Sequence, residues 1–231
     1  MKDRTPNRPP VAAHLRYQAE AERFRGLTLE QTFTRIYETN LWGSESSRSG
    51  SGSAESETAT LCVQIPKLLK GIGVRSLLDI PCGDFGWLSQ TDLAGIDYTG
   101  ADIVAELVAN NTARYGSPSR RFCHLDLTRD ILPRADVVLC RDCLVHLSFE
   151  NIFHALANLR NSRSIYLLTT TFTDHDVNQD AANGDWRMLN LERAPFHFPP
   201  ALALVVEGCS EGGGAYADKS LGLWRLQDLP E

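Results

Sequence analysis

Apolar residues change rhythm several times along the chain. Leu77, Leu78 and Ile80 form a nearly continuous apolar run that stops at Pro81, the pattern of a strand covered on both faces, as in a parallel sheet. Segments 98–102, 121–126, 135–140 and 164–172 read as four more strands. Between them the spacing becomes helical: Leu61, Ile65, Leu68 and Leu69 within 56–69, then Val104, Leu107 and Val108, then Ile152, Ala155, Leu156 and Leu159 within 151–160. Gly71 and Gly73 end the first of these helices before the first strand. Strands separated by helices imply right-handed crossovers and a parallel sheet.

The two ends depart from this alternation. Segments 203–207 and 220–226 read as strands joined without a helix, which predicts an antiparallel hairpin at one sheet edge. The first ten residues are rich in proline and charge and are expected to be disordered, whereas 11–40 has helical character and forms an N-terminal cap. Residues 42–53 are dominated by Gly and Ser, which suits a linker. Trp42 as an anchor and Arg48 as a carboxylate-binding fork suit a lid instead. The expected division is 1–57, cap and lid, and 58–231, the main domain.

With 231 residues, 42% of them hydrophobic, the chain is long enough for one such domain with a sizeable core. No apolar run approaches the ~20 residues that cross a bilayer, and no signal-peptide core follows the opening residues. A soluble cytoplasmic protein with no membrane partner is expected. A net charge of -6 and a pI near 5.5 argue against a whole-surface nucleic-acid binder. The six cysteines are scattered in or beside apolar segments and are expected to be free thiols. Cys140 and Cys143 form a C-x-x-C, but no second ligand pair accompanies it, so no metal site is expected.

The candidate chemistry begins where the first strand breaks into Asp79-Ile80-Pro81-Cys82-Gly83-Asp84. Ligands of open α/β sheets bind at carboxyl ends of strands, where a sharp turn lets backbone N–H groups approach them. This segment resembles motif I of the class I S-adenosylmethionine (SAM)-dependent methyltransferases. The order of elements from Leu61 to Leu226 is similar to that family's Rossmann-like fold: a mostly parallel seven-stranded α/β sheet whose last strand inserts antiparallel. Pro81 and Phe85 stand where many members have glycine, and only Gly83 matches outright. A dinucleotide turn would want Gly-x-Gly-x-x-Gly for a pyrophosphate, and only Gly83-x-x-Gly86 is present.

The resemblance implies SAM as cofactor, S-adenosylhomocysteine (SAH) as product, and a set of binding residues. Asp79, Pro81, Cys82 and Gly83 would form the turn, Asp102 with Ile103 would receive the ribose hydroxyls, and Asp126 with Leu127 would meet the adenine. Arg141, Trp42 and Arg48 complete the implied cofactor set. Methyl transfer from a sulfonium is governed by alignment and desolvation, so a base matters only where the acceptor must lose a proton. His146 and His175 are candidate bases, and Asp142 a candidate orienting group. Each has a plainer reading, His146 as a helix residue packed on the sheet and His175 as part of a solvated loop. The long polar segment after the fifth strand contributes Asp174, Asn178 and Trp186 as candidate acceptor contacts, and Tyr216 and Lys219 are placed at the pocket mouth. The expected activity is methylation of an oxygen or nitrogen of a small molecule. The alternatives are a protein or peptide acceptor, or a non-catalytic partner subunit with this fold.

Overall fold

The computed structural model describes residues 8–43 and 47–230. The expectation of disorder at 1–7, and Ser44 to Ser46 of the Gly/Ser segment, lie outside the described residues. Arg8 and Pro9 are not loose as expected: the Arg8 guanidinium clasps Asp218, with Nη2 at 3.1 Å from Oδ2, and the Pro9 carbonyl accepts from the Tyr216 hydroxyl.

Two helices, α1 (Ala12–Glu20) and α2 (Leu29–Thr39), form the N-terminal cap. Thr28 and Gln31 close a capping box at the start of α2, and Asn40 ends it in the left-handed region. Tyr17, Phe24, Ile36 and Leu41 bury one another in a small core of their own. The cap is fastened to the rest through Asp185, which accepts from Gln18 Nε2 at 2.7 Å and lies 2.8 Å from His14 Nδ1.

The main sheet has β1 (Ser76–Asp79), β2 (Asp97–Asp102), β3 (Arg120–His124), β4 (Val137–Cys140), β5 (Tyr166–Phe172), β6 (Ala203–Val206) and β7 (Lys219–Arg225), in the order β3-β2-β1-β4-β5-β7-β6. The first five run parallel, and β7 slots antiparallel between β5 and β6. Helices α3 (Glu55–Gly71), α4 (Ala105–Tyr115) and α5 (Phe149–Asn161) accompany it. The two faces of β1 illustrate the layering. Leu77 packs with Leu61, Ile65 and Leu69 of α3, while its neighbour Leu78 belongs to the core that holds Ile152 and Leu156 of α5. Among the described residues no helix is long and apolar enough to cross a membrane.

The expected alternation of strand and helix is only partly realised. The β1–β2 connection holds a single 3-10 turn, Leu88–Gln90, and the β3–β4 connection has no helix. In the first, Asp92 Oδ1 captures the Ala94 N–H and Gly95 takes φ +78°; in the second, Asp126 Oδ1 captures the Thr128 N–H. These side-chain turns satisfy backbone donors locally and outcompete a helix. The long connection after β5 is also more packed than its polar composition suggests: Leu189, Leu191, Phe196 and Phe198 are buried in the main core.

Candidate active site

The carboxyl ends of β1, β2 and β3 bring three acids to one cavity. Asp79, Asp102 and Asp126 are each 4% exposed and line about 1050 Å3 of open space above the sheet. The Tyr98 hydroxyl donates to Asp79 Oδ2 at 2.6 Å, and burial pushes the Asp79 carboxyl up to about 7. Asp102 accepts the N–H of Gly83 at 3.0 Å and of Val104 at 2.9 Å; burial nevertheless raises it to about 6. Asp126 is held by the Thr128 hydroxyl at 2.6 Å and by Arg129 Nε at 3.0 Å. The turn itself needs Gly83 at φ +53°, and Phe85 takes φ +57° with its ring locked among Tyr98, Tyr115 and Phe122. Pro81, Cys82, Ile103, Leu127, Arg141, Trp42 and Arg48 line the same cavity, so the whole cofactor set named from the sequence is gathered there.

Residues 47–52 lie across this turn. The Ser47 hydroxyl donates to Asp84 Oδ2 at 2.7 Å, the Arg48 N–H donates to the same oxygen at 3.1 Å, and the Asp84 N–H returns a bond to Ser49 Oγ at 3.0 Å. Arg141 Nη2 donates to the Gly52 carbonyl at 2.8 Å, and the Ser51 hydroxyl to Glu211 at 2.6 Å. A Cβ at Gly83 would sit 2.2 Å from Ser49 Oγ. Hydrogen bonds at so many points make this segment a cover over the turn rather than a slack tether.

A second cavity, of about 550 Å3, adjoins the first and shares Trp42, Ser49, Asp142 and His146 with it. His146 Nδ1 lies 2.8 Å from the Asp185 carbonyl oxygen, which only accepts, so Nδ1 carries the proton and Nε2 is the acceptor. The imidazole stacks on Trp42 with ring centroids 4.4 Å apart, and burial lowers its pKa to about 4. It is neutral across the physiological range. Beside it Asp142, at φ +49°, accepts from Lys219 Nζ at 2.7 Å and lies 3.3 Å from Arg141 Nη1. Glu207 completes a buried quartet, 2.7 Å from Arg141 Nη2 and 3.4 Å from Lys219 Nζ. Burial alone would raise the Asp142 carboxyl, but the Lys219 and Arg141 cations overcome it and hold it well below the usual range.

Solved structures carry the same architecture. The chain is similar to Burkholderia thailandensis 1,6-didemethyltoxoflavin-N1-methyltransferase with bound 1,6-didemethyltoxoflavin and SAH, at 18% identity over 94% of this chain and 92% of that one, TM-score 0.56. Human N-acetylserotonin methyltransferase in complex with SAM matches at 13% identity over 94% of this chain and 60% of that one, TM-score 0.51. The chain has the class I methyltransferase fold. A Bradyrhizobium japonicum N-methyltransferase in complex with SAH matches at 13% identity over 61% and 74%, TM-score 0.50. No protein-family model and no curated protein matches the sequence.

Within this methyltransferase fold the remaining candidates separate. Trp186 lines the second cavity; Tyr216 and Lys219 do too, but as buried members of the wall rather than at a mouth, because the Tyr216 hydroxyl is committed to the Pro9 carbonyl and Asp142 and Glu207 draw the Lys219 ammonium inward. His175, Asp174 and Asn178 line neither cavity. Asn178 instead staples its own loop, donating to the Asn190 and Ala194 carbonyls at 2.9 and 2.7 Å, and the Asp174 N–H bonds Asp218. His175 is tucked beneath Asn190, which donates to its carbonyl at 2.9 Å. Sequence reading missed Tyr98, Ser49, Asp185 and Glu207. The one signal for Glu207 was a lone acid closing the apolar run Leu204-Val205-Val206.

Proposed function

We propose that the protein is a SAM-dependent methyltransferase that acts on an oxygen or nitrogen of a small molecule. The observation that carries this reading is the shared wall: a cavity with the cofactor acids opens beside a smaller one, and His146 and Asp142 stand at the seam. The names of the similar proteins, which specify 1,6-didemethyltoxoflavin and N-acetylserotonin as their molecules, support a small acceptor. The division into a cap with its cover and a SAM-binding domain belongs to the same reading, with the boundary just before α3 at Glu55 rather than at residue 57.

The residues present fit the cofactor. Asp102 offers carboxylate oxygens to a vicinal diol, Asp126 an acceptor to an exocyclic amine, and Asp79 a buried carboxyl to an ammonium. Trp42 Nε1, a buried donor on this wall, has no partner within the described residues. SAM supplies an electrophilic methyl group on a sulfonium whose thioether is a good leaving group. The protein's part is to orient and dehydrate. Asp142, fixed by Lys219 and Arg141, keeps its charge to orient an O–H or N–H, and His146 Nε2 takes the proton where the acceptor must lose one.

Isothermal titration with SAH tests the cofactor site: micromolar-range binding is expected, and no detectable heat would refute the proposal. Asp102→Ala should weaken SAH by about tenfold or more, the loss of a charge-assisted hydrogen bond. An unchanged affinity would show that Asp102 does not hold the ribose.

A further inference from the structure

We infer that the acceptor is an uncharged, flat aromatic or heteroaromatic molecule that bears the O–H or ring N–H to be methylated. This rests on the methyltransferase reading of the site and adds the substrate class to it.

The shape of the second cavity comes from rings. Trp186 and Tyr216 meet edge to face with centroids 5.4 Å apart and planes at 86°, and Phe172 stands nearly perpendicular to both at 6.0 and 6.2 Å. Trp42 closes the side toward the cofactor cavity. Where these rings border the cavity, their edge-to-face packing offers a further flat ring both stacking and edge contacts.

Charge narrows the class further. Both cations at the seam are already matched: Lys219 lies between Asp142 and Glu207, and Arg141 is held by Glu207 and the Gly52 carbonyl. Among the described residues no cation lining the cavity is left to receive a carboxylate or phosphate, which would also face Asp142 and Glu211. An aliphatic ammonium would face the Lys219 ammonium in the same wall, where Asp142 is already matched by Lys219 and Arg141 and Glu211 accepts from the Ser51 hydroxyl. Removing either ion from water without a partner is costly. A neutral ring pays no such cost, and one polar edge is enough to reach His146 Nε2 at the seam.

Calorimetry in two steps tests the inference. SAH is titrated first; absence of binding overturns the methyltransferase reading itself. With SAH saturating, 2-naphthol and 8-hydroxyquinoline are then compared with 2-naphthoate, putrescine and cyclohexanol. The two neutral aromatic probes should bind at least about tenfold more tightly than the other three, and Trp186→Leu should cost them about tenfold while SAH affinity is unchanged, the size of one lost aromatic contact. Phe172→Leu repeats the test from another wall if Trp186→Leu fails to bind SAH. SAH binding combined with equal or tighter binding of naphthoate, putrescine or cyclohexanol would overturn the substrate class, as would aromatic affinity that neither variant alters.

Discussion

Asp102 carries two properties that pull in opposite directions with pH. Its carboxyl is raised to about 6 by burial, and Asp79 to about 7, so between pH 4 and 7 the folded protein binds more protons at these positions than the unfolded chain does. Their contribution to stability is therefore present at low pH and lost as pH rises through about 6 to 7. The ribose binding proposed for Asp102 has the opposite sign, because a protonated carboxyl gives up acceptor capacity. Between pH 7 and 5, SAH affinity should fall, and Asp102→Asn should bind more weakly at pH 7 but lose the leg centred near pH 6; titrations at several pH values would show a persisting leg if another group is responsible. His146→Asn keeps a planar polar side chain but offers no basic nitrogen. Single-turnover rates should drop by about 10²–10⁴ with SAH affinity preserved, and full activity would remove His146 from the chemistry.

The cover formed by residues 47–52 depends on Gly83, both for its φ of +53° and for the space Ser49 occupies. Gly83→Ala should cost about 1 kcal/mol in backbone strain and displace Ser49. Faster amide exchange in 47–52, with the exchange of β1 little changed, is the expected result, and unaltered exchange would show that the cover is held elsewhere. Strand positions were readable because Leu77, Leu78 and Ile80, and their counterparts, must be apolar to lie between two helical layers. Connections were less readable. Asp92 and Asp126 turn the chain by local hydrogen bonds that leave no periodic trace, and Ser49 was hidden in a Gly/Ser composition that suits a linker equally well.

The buried quartet ties together distant parts of the chain: the end of β4, the residue after β6, the start of β7 and the Gly52 carbonyl. Arg141 and Glu207 are 66 positions apart, so no local pattern announces their pairing, and Lys219 reads as a pocket-mouth residue for the same reason. The three acids, by contrast, were legible because each stands at or just past the end of its own strand, where the family resemblance implies cofactor acids. Glu207→Ala would leave two buried cations against Asp142 alone; urea unfolding should show a loss of about 3–5 kcal/mol, and Glu207→Gln a smaller one. An unchanged midpoint would mean that water already screens the group. The same arrangement has a kinetic side. Ser49 borders both cavities, and the stretch that carries it is hooked to the quartet through Gly52 and to the first turn through Ser47. In the proposed function cofactor and acceptor both lie against this stretch, so a change that loosens 47–52 should speed the exchange of both.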